Sequence, residues 1–163
     1  MEFLFEILVI VFMLVFNAIF AAYEMALASV SRVKLAVFIS EKKHGAEEAA
    51  FMKDRVEASL AIIQLGITLF GAIAAATGGA SVIDSLAPFF QYQCGLSEGL
   101  AEFISLAILV IPLSCLTIIC GELVPKVFAI NNKEWVCLQL SPVMKFLSFI
   151  LYPLILLFEN VVK

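Results

Sequence analysis

Charged residues fall along this chain in clusters, and the stretches between the clusters are long and apolar. The first uncharged window runs from Ile7 to Tyr23 and, past Glu24, on to Val30. The second runs from Ala58 to Ile83, and the third from Phe103 to Gly121. A helix needs about 20 apolar residues to cross the hydrocarbon core of a bilayer. The pattern therefore predicts three spans, at about 4–30, 58–80 and 102–125. Between the first two lies the polar segment Ser31–Glu57, with Arg32, Lys34, Lys42, Lys43, Lys53 and Arg55; no Lys or Arg recurs before Lys126. Basic residues gather on the cytoplasmic side of membrane proteins. This rule puts that segment and the C-terminal part in the cytoplasm, and the N-terminus and the loop Asp84–Glu102 outside.

The tail Trp135–Val162 is apolar, but Lys145 stands in its middle and Pro142 and Pro153 interrupt it. Its uncharged run, Phe146–Phe158, is shorter than a crossing helix. The tail is expected to form broken amphipathic helices, about 134–162, on the cytoplasmic face rather than a fourth span. In the polar segment, Glu41–Ala50 suits a short helix, and His44 beside Gly45 reads as a solvated loop residue. The expected fold class is an all-α membrane protein: three transmembrane helices plus cytoplasmic-side juxtamembrane amphipathic helices.

Composition sharpens this picture. Of 163 residues, 63% are hydrophobic and 15% charged, and the mean hydropathy is +1.09. Soluble domains run at about 45–50% apolar and about 25% charged. An ordinary soluble domain, a disordered chain and a nucleic-acid binder are excluded. The net charge of −4 adds little. Glu2 and Glu6 replace the positive region of a signal peptide, so the first span is expected to stay in the mature protein. Cys94, Cys115, Cys120 and Cys137 form no CxxC pair and read as buried thiols. One loop histidine and no phosphate-cradling glycine loop argue against an enzyme.

Two carboxylates lie in or at the end of apolar segments, Glu24 in the first span and Glu122 at the end of the third. A charge at membrane depth costs at least about 2.5–3.5 kcal/mol, and such residues mark ion paths or pair locally. Lys126 stands four residues after Glu122, in pairing distance on a helix. Pro125 lacks an N–H, which frees the carbonyl of Gly121 from its helical bond. A freed carbonyl beside a carboxylate is an oxygen-rich corner suited to a hard cation such as Mg²⁺. Pro112 similarly frees the carbonyl of Ile108 and reads as a kink. Asn17, Gln64 and Thr68 are the further oxygen donors, followed by Ser29, Thr77, Ser114 and Thr117; membrane hydroxyls also bond their own backbone. Gly71, Ala75 and Gly79 share one face of the second span, either for packing within the chain or as a seam between two copies.

Three ordered segments carry a resemblance. FNAIFAAYEMAL (Phe16–Leu27, followed by Ser29, Arg32 and Leu35), QLGITL (Gln64–Leu69) and GELVPK (Gly121–Lys126) resemble the DUF21 transmembrane domain of the CNNM and CorC magnesium transporters, whose bacterial members were once labelled haemolysin-like. Ser141–Pro153 is similar to the juxtamembrane stretch that follows. The resemblance implies a homodimer formed through the transmembrane helices, a cytoplasmic belt of juxtamembrane helices, a plasma (inner) membrane location, and Mg²⁺ export coupled to Na⁺ entry. It implies a CBS pair and a small C-terminal domain further on, and neither occurs within these 163 residues. The family's metal-binding glutamate matches Glu122. Its serine falls near Ala21 or Ala22, and its second-span asparagine near Ile67 or Gly71. Asn17, one turn before Ala21, and Gln64 and Thr68 are the replacements this sequence offers. Three functions follow as expectations: Na⁺-coupled Mg²⁺ export; export of organic cations such as polyamines; and a cation-sensing membrane anchor for cytoplasmic modules.

Overall fold

The computed structural model describes the backbone of residues 2–162 and the side chains of residues 4–77 and 83–150. Gly79 lies outside the described side chains. Among the described residues the chain is helical throughout, with no strand: α1 (Glu2–Ser29), α2 (Arg32–Ser40), α3 (Ala46–Asp54), α4 (Val56–Cys94), α5 (Glu98–Leu116), a π-helical stretch (Thr117–Leu123), α6 (Val124–Asn131) and α7 (Lys133–Val162). Among the described residues three segments are long and apolar enough to cross a membrane: Leu4–Ser29, Val56–Thr77 and Glu98–Asn131. The chain is an all-α membrane protein.

Each helix end has a local cause. The last carbonyls of α1 are met by Lys53, whose Nζ donates to Leu27 O at 2.7 Å and Ala28 O at 3.0 Å. A cation there also suits the negative end of the helix dipole. Ser31 caps α2 by accepting from the backbone N–H of Lys34 at 3.2 Å. The α2–α3 turn passes through Gly45 at φ 77. A Cβ on Gly45 would collide with the backbone carbonyl of Leu138, so only glycine serves both the turn and the contact with α7. His44 lies exposed in this turn.

Two elements depart from expectation. The segment read as the loop Asp84–Glu102 is helical as far as Cys94 and again from Glu98, and Gly95, in left-handed conformation, stops α4. Pro88 sits within α4 without ending it. Likewise α7 is one helix, not broken helices; Pro142 and Pro153 lie inside it. A proline removes one backbone bond, and here neither removal interrupts the helix.

The core lies at one end of the molecule. Phe20–Leu27 and Val30 of the first span pack with Leu35, Phe38, Ala49, Met52, Val136 and Met144. Higher in the span, Phe70 of α4 meets the rings of Phe16 and Phe20 at 5.2 and 5.4 Å. The tight helix approach falls at Gly66, where a Cβ would run into the Phe20 ring, whereas a Cβ on Gly71 would meet nothing within 4 Å. Of the four thiols only Cys137 is buried; the other three lie on helix faces that the chain itself leaves uncovered.

Candidate functional site

The site grows from one face of α1. Asn17, Ala21 and Glu24 are spaced by four and three residues and so stack on that face. Asn17 and Glu24 are two turns apart, about 10 Å along the axis. The π-helical stretch and α6 run beside α1 in the same direction, so that Asn17 meets Gly121 and Glu24 meets Lys126.

Pro125 explains the local backbone. It lies just after the π-helical stretch, where the α-helical bonding pattern would need its missing N–H. The Val124 N–H instead reaches back five residues to the Ile119 carbonyl. Irregular helix of this kind recurs at functional sites, and within a membrane it is tolerated where it is buried or lines a cavity. Gly121 is buried at its centre. A Cβ there would stand 2.9 Å from Asn17 Nδ2, so the missing side chain is what lets the amide reach this backbone.

Asn17 is 1% exposed, and among the described residues neither Nδ2 nor Oδ1 has a hydrogen-bond partner. An unmet buried polar group costs about 1–3 kcal/mol, and such groups call for an explanation. Toward α6, Lys126 joins the two carboxylates: its Nζ stands 3.0 Å from Glu24 Oε2 and 4.0 Å from Glu122 Oε2. All three side chains are partly accessible, so the cluster is reachable rather than sealed. Two carboxylates and one ammonium leave a formal charge of −1. Among the described residues no group of three or more His, Cys, Asp or Glu converges. The donors are a carboxylate pair, a free amide and backbone carbonyls. This set suits a hard cation that keeps part of its water shell, as Mg²⁺ does. A cavity of about 260 Å³ between α4 and the third span, bordered by Gly71, Ala75, Ser114 and Thr117, lies one helical turn before Gly121.

Of the sequence candidates, Asn17 meets Gly121, and Glu24 and Glu122 meet at Lys126 further along α1. Gln64 and Thr68 join neither group: both sit on an exposed face of α4, and the Thr68 hydroxyl donates to the Gln64 carbonyl at 2.9 Å. Thr77 and Thr117 likewise bond their own helix, each at 2.8 Å. Ala21, Ala22 and Ile67 are all buried. Sequence reasoning paired Lys126 with Glu122 by spacing and missed its closer partner. The available signal was that Glu24 is the lone charge of an apolar window and needs a counter-charge. It also missed Tyr23, whose hydroxyl lies 2.9 Å from Ser141 Oγ and ties the turn bearing Glu24 to α7. Nothing in the spacing of residues 118 positions apart announces that bond.

The family model described as the cyclin M transmembrane N-terminal domain, CNNM, matches residues 8–163. The UPF0053 protein sll0260 of Synechocystis is 31% identical over 152 residues, which are 93% of this chain and 34% of that protein. The UPF0053 protein YrkA of Bacillus subtilis is 28% identical over 150 residues, 92% of this chain and 34% of that protein. The chain thus spans about a third of the length of the curated relatives it matches. With its three apolar helices, its GELVPK segment straddling the end of a π-helical stretch and a family match over nearly all its length, the chain belongs to the CNNM family.

Proposed function

We propose that this chain is the cation-handling membrane domain of a transporter, and that its cargo is Mg²⁺, exported against inward Na⁺. CNNM membership supports the transporter role, and the resemblance of the GELVPK segment supplies Mg²⁺ and Na⁺. The observation that carries the reading is the fully buried Asn17 amide, without a partner among the described residues and turned to the irregular backbone at Gly121. In this reading the Asn17 oxygen and π-segment carbonyls replace part of the cargo's water shell. Glu122 and Glu24 supply the neutralising charge. Lys126 is a tethered counter-cation, withdrawn from the carboxylates when the cargo enters and returning when it leaves. The chain works as a homodimer in the plasma membrane, with its N-terminus outside and the basic segment in the cytoplasm. It performs no covalent chemistry.

A second reading has its own support. An ammonium group, that of Lys126, already stands 3.0 Å from Glu24, and a polyamine would present the same group. One experiment separates the two. Thermal stability of the purified chain is followed against Mg²⁺, Na⁺, Ca²⁺ and spermidine, for the wild type, Asn17→Ala and Glu122→Gln. A ligand that binds only the folded state adds RT ln(1 + [L]/Kd), about 2.7 kcal/mol at 100 times Kd. The expected result is a Mg²⁺ shift that both variants lose while remaining dimeric. A shift with spermidine alone would replace the cargo. Mg²⁺ binding without flux from loaded liposomes would make the chain a sensor or anchor.

A further inference from the structure

A groove of about 560 Å³ opens where α3, the start of α4 and the middle of α7 meet, and it shares no lining residue with the Asn17–Glu122 site. Its volume falls in the range of small-molecule pockets, about 300–1,000 Å³. Its mouth is cationic. The Arg55 guanidinium lies over the Phe51 ring at 4.6 Å, and Lys145 Nζ lies over the same ring at 5.2 Å. One aromatic ring thus gathers two cations. The acid in the groove's lining is Glu48, 3.7 Å from Lys145 and partly exposed. Among the described residues Arg55 has no ion-pair partner, so the mouth carries a formal +1.

Behind the mouth the lining turns apolar. Arg55 immediately precedes the apolar segment Val56–Thr77, and Ile62, seven residues on, lies about 10 Å deeper along that helix. Facing it on α7, Phe146 and Phe149 follow Lys145 into the groove, and Phe149 is 82% exposed in the isolated chain. The site therefore has a cationic end at the boundary of the apolar span and an apolar end within it. A free anion would leave the apolar depth unused, and a neutral lipid tail would leave the paired cations unmatched. Basic pockets at the cytoplasmic ends of spans hold acidic headgroups.

We propose that this groove binds a phospholipid with an anionic headgroup, its phosphate between Arg55 and Lys145 and an acyl chain along Ile62, Phe146 and Phe149. The Lys145–Glu48 contact, long and partly exposed, is a weak competitor. The test uses the purified chain in a zwitterionic detergent. Thermal stability is titrated with a short-chain phosphatidylglycerol, a phosphatidylcholine of the same chains, and inorganic phosphate. Phosphatidylglycerol is expected to act at a concentration at least tenfold lower than phosphatidylcholine. The double variant Arg55→Gln, Lys145→Gln, exposed at both positions to solvent or groove, is expected to bring the two within twofold. Ala58→Trp, which fills the groove and leaves the cations in place, is expected to remove the response to both lipids. Equal wild-type responses to the two lipids would overturn the proposal, as would selectivity that survives in the charge variant. A phosphate response as strong as that to phosphatidylglycerol would reduce the site to an anion site. A change of oligomeric state in the lipid-free charge variant would instead assign the groove to a second copy of the chain.

Discussion

The two halves of α1 belong to one apolar window and have opposite fates. From Leu4 to Val15 the large side chains point outward; Leu4, Phe5, Leu8 and Phe12 are each more than half exposed. From Asn17 to Leu27 one face of the helix is enclosed, with Ala21, Tyr23, Ala26 and Leu27 at 0%. The difference lies in residue size and polarity. Lipid tails solvate a leucine as well as a protein interior does, so large aliphatic residues can stay on the outside. The enclosed half substitutes small residues, Ala21, Ala22 and Ala26, which let neighbouring helices close in, and polar ones, Asn17, Tyr23 and Glu24, which lipid would penalise. In a membrane helix, small and polar positions therefore mark the packed face, and the candidate site lies on it.

The strongest break of this contrast should come through pH at the enclosed end. Burial pushes the Cys137 thiol from its ordinary value near 9 up to about 11, with the Ser141 hydroxyl and Lys53 pulling weakly the other way. Between those values the unfolded chain releases a proton that the folded chain keeps. Cys137 therefore contributes stability that is fully present below pH 9 and lost as pH rises through 11. The two units amount to about 3 kcal/mol. Stability measured from pH 8 to 11 should fall more steeply in the wild type than in Cys137→Ala; parallel curves would show that the thiol is not enclosed. Next in size is the direct exchange between the halves. Leu27→Ala removes a fully enclosed side chain and leaves a cavity. Its cost should be about 2 kcal/mol, at the low end for such changes because lipid lowers the transfer part. Leu8→Ala, at 59% exposure, should stay within about 0.5 kcal/mol. Equal effects of the two in unfolding titrations would erase the contrast.

How much of this was legible beforehand differs between the halves in the same way. The spans, their number and the all-α class were readable, because hydrophobic thickness imposes a length that a charge-free window reports directly. Gly121 and Glu122 were readable as a candidate site because Pro125 has a fixed local consequence. The continuity of α7 and the reach of α4 to Cys94 were not. Proline and scattered polar residues lower helix propensity, but neighbouring packing overrides propensity, and packing is not visible in one chain's periodicity. Gln64 and Thr68 looked equal to Asn17 as oxygen donors. Only the rotation of α4 about its axis, set by contacts such as Gly66 with Phe20, turns them outward.

The smallest expected effect probes whether the enclosed half of α1 is coupled to α7 or merely lies against it. Tyr23 Oη is 2.9 Å from Ser141 Oγ, and that hydroxyl donates in turn to the Cys137 carbonyl at 2.6 Å. The three groups form a buried chain in which Ser141 both accepts from Tyr23 and satisfies its own backbone. Tyr23→Phe removes the phenol oxygen and keeps the ring, so it should cost about 1 kcal/mol. Ser141→Ala strands the phenol inside the protein and should cost more than Tyr23→Phe, since an unmet buried donor carries the full desolvation penalty. In the double variant the stranded group is gone, and its cost should be smaller than the sum of the single costs by about 1 kcal/mol, the coupling of the pair. Because Tyr23 adjoins Glu24, the same variants report on the site. If α7 holds the turn bearing Glu24 in register, Tyr23→Phe should also weaken the Mg²⁺-dependent thermal shift. Additive single costs together with an unchanged shift would mean that the bond fastens α7 to the bundle without reaching the carboxylates.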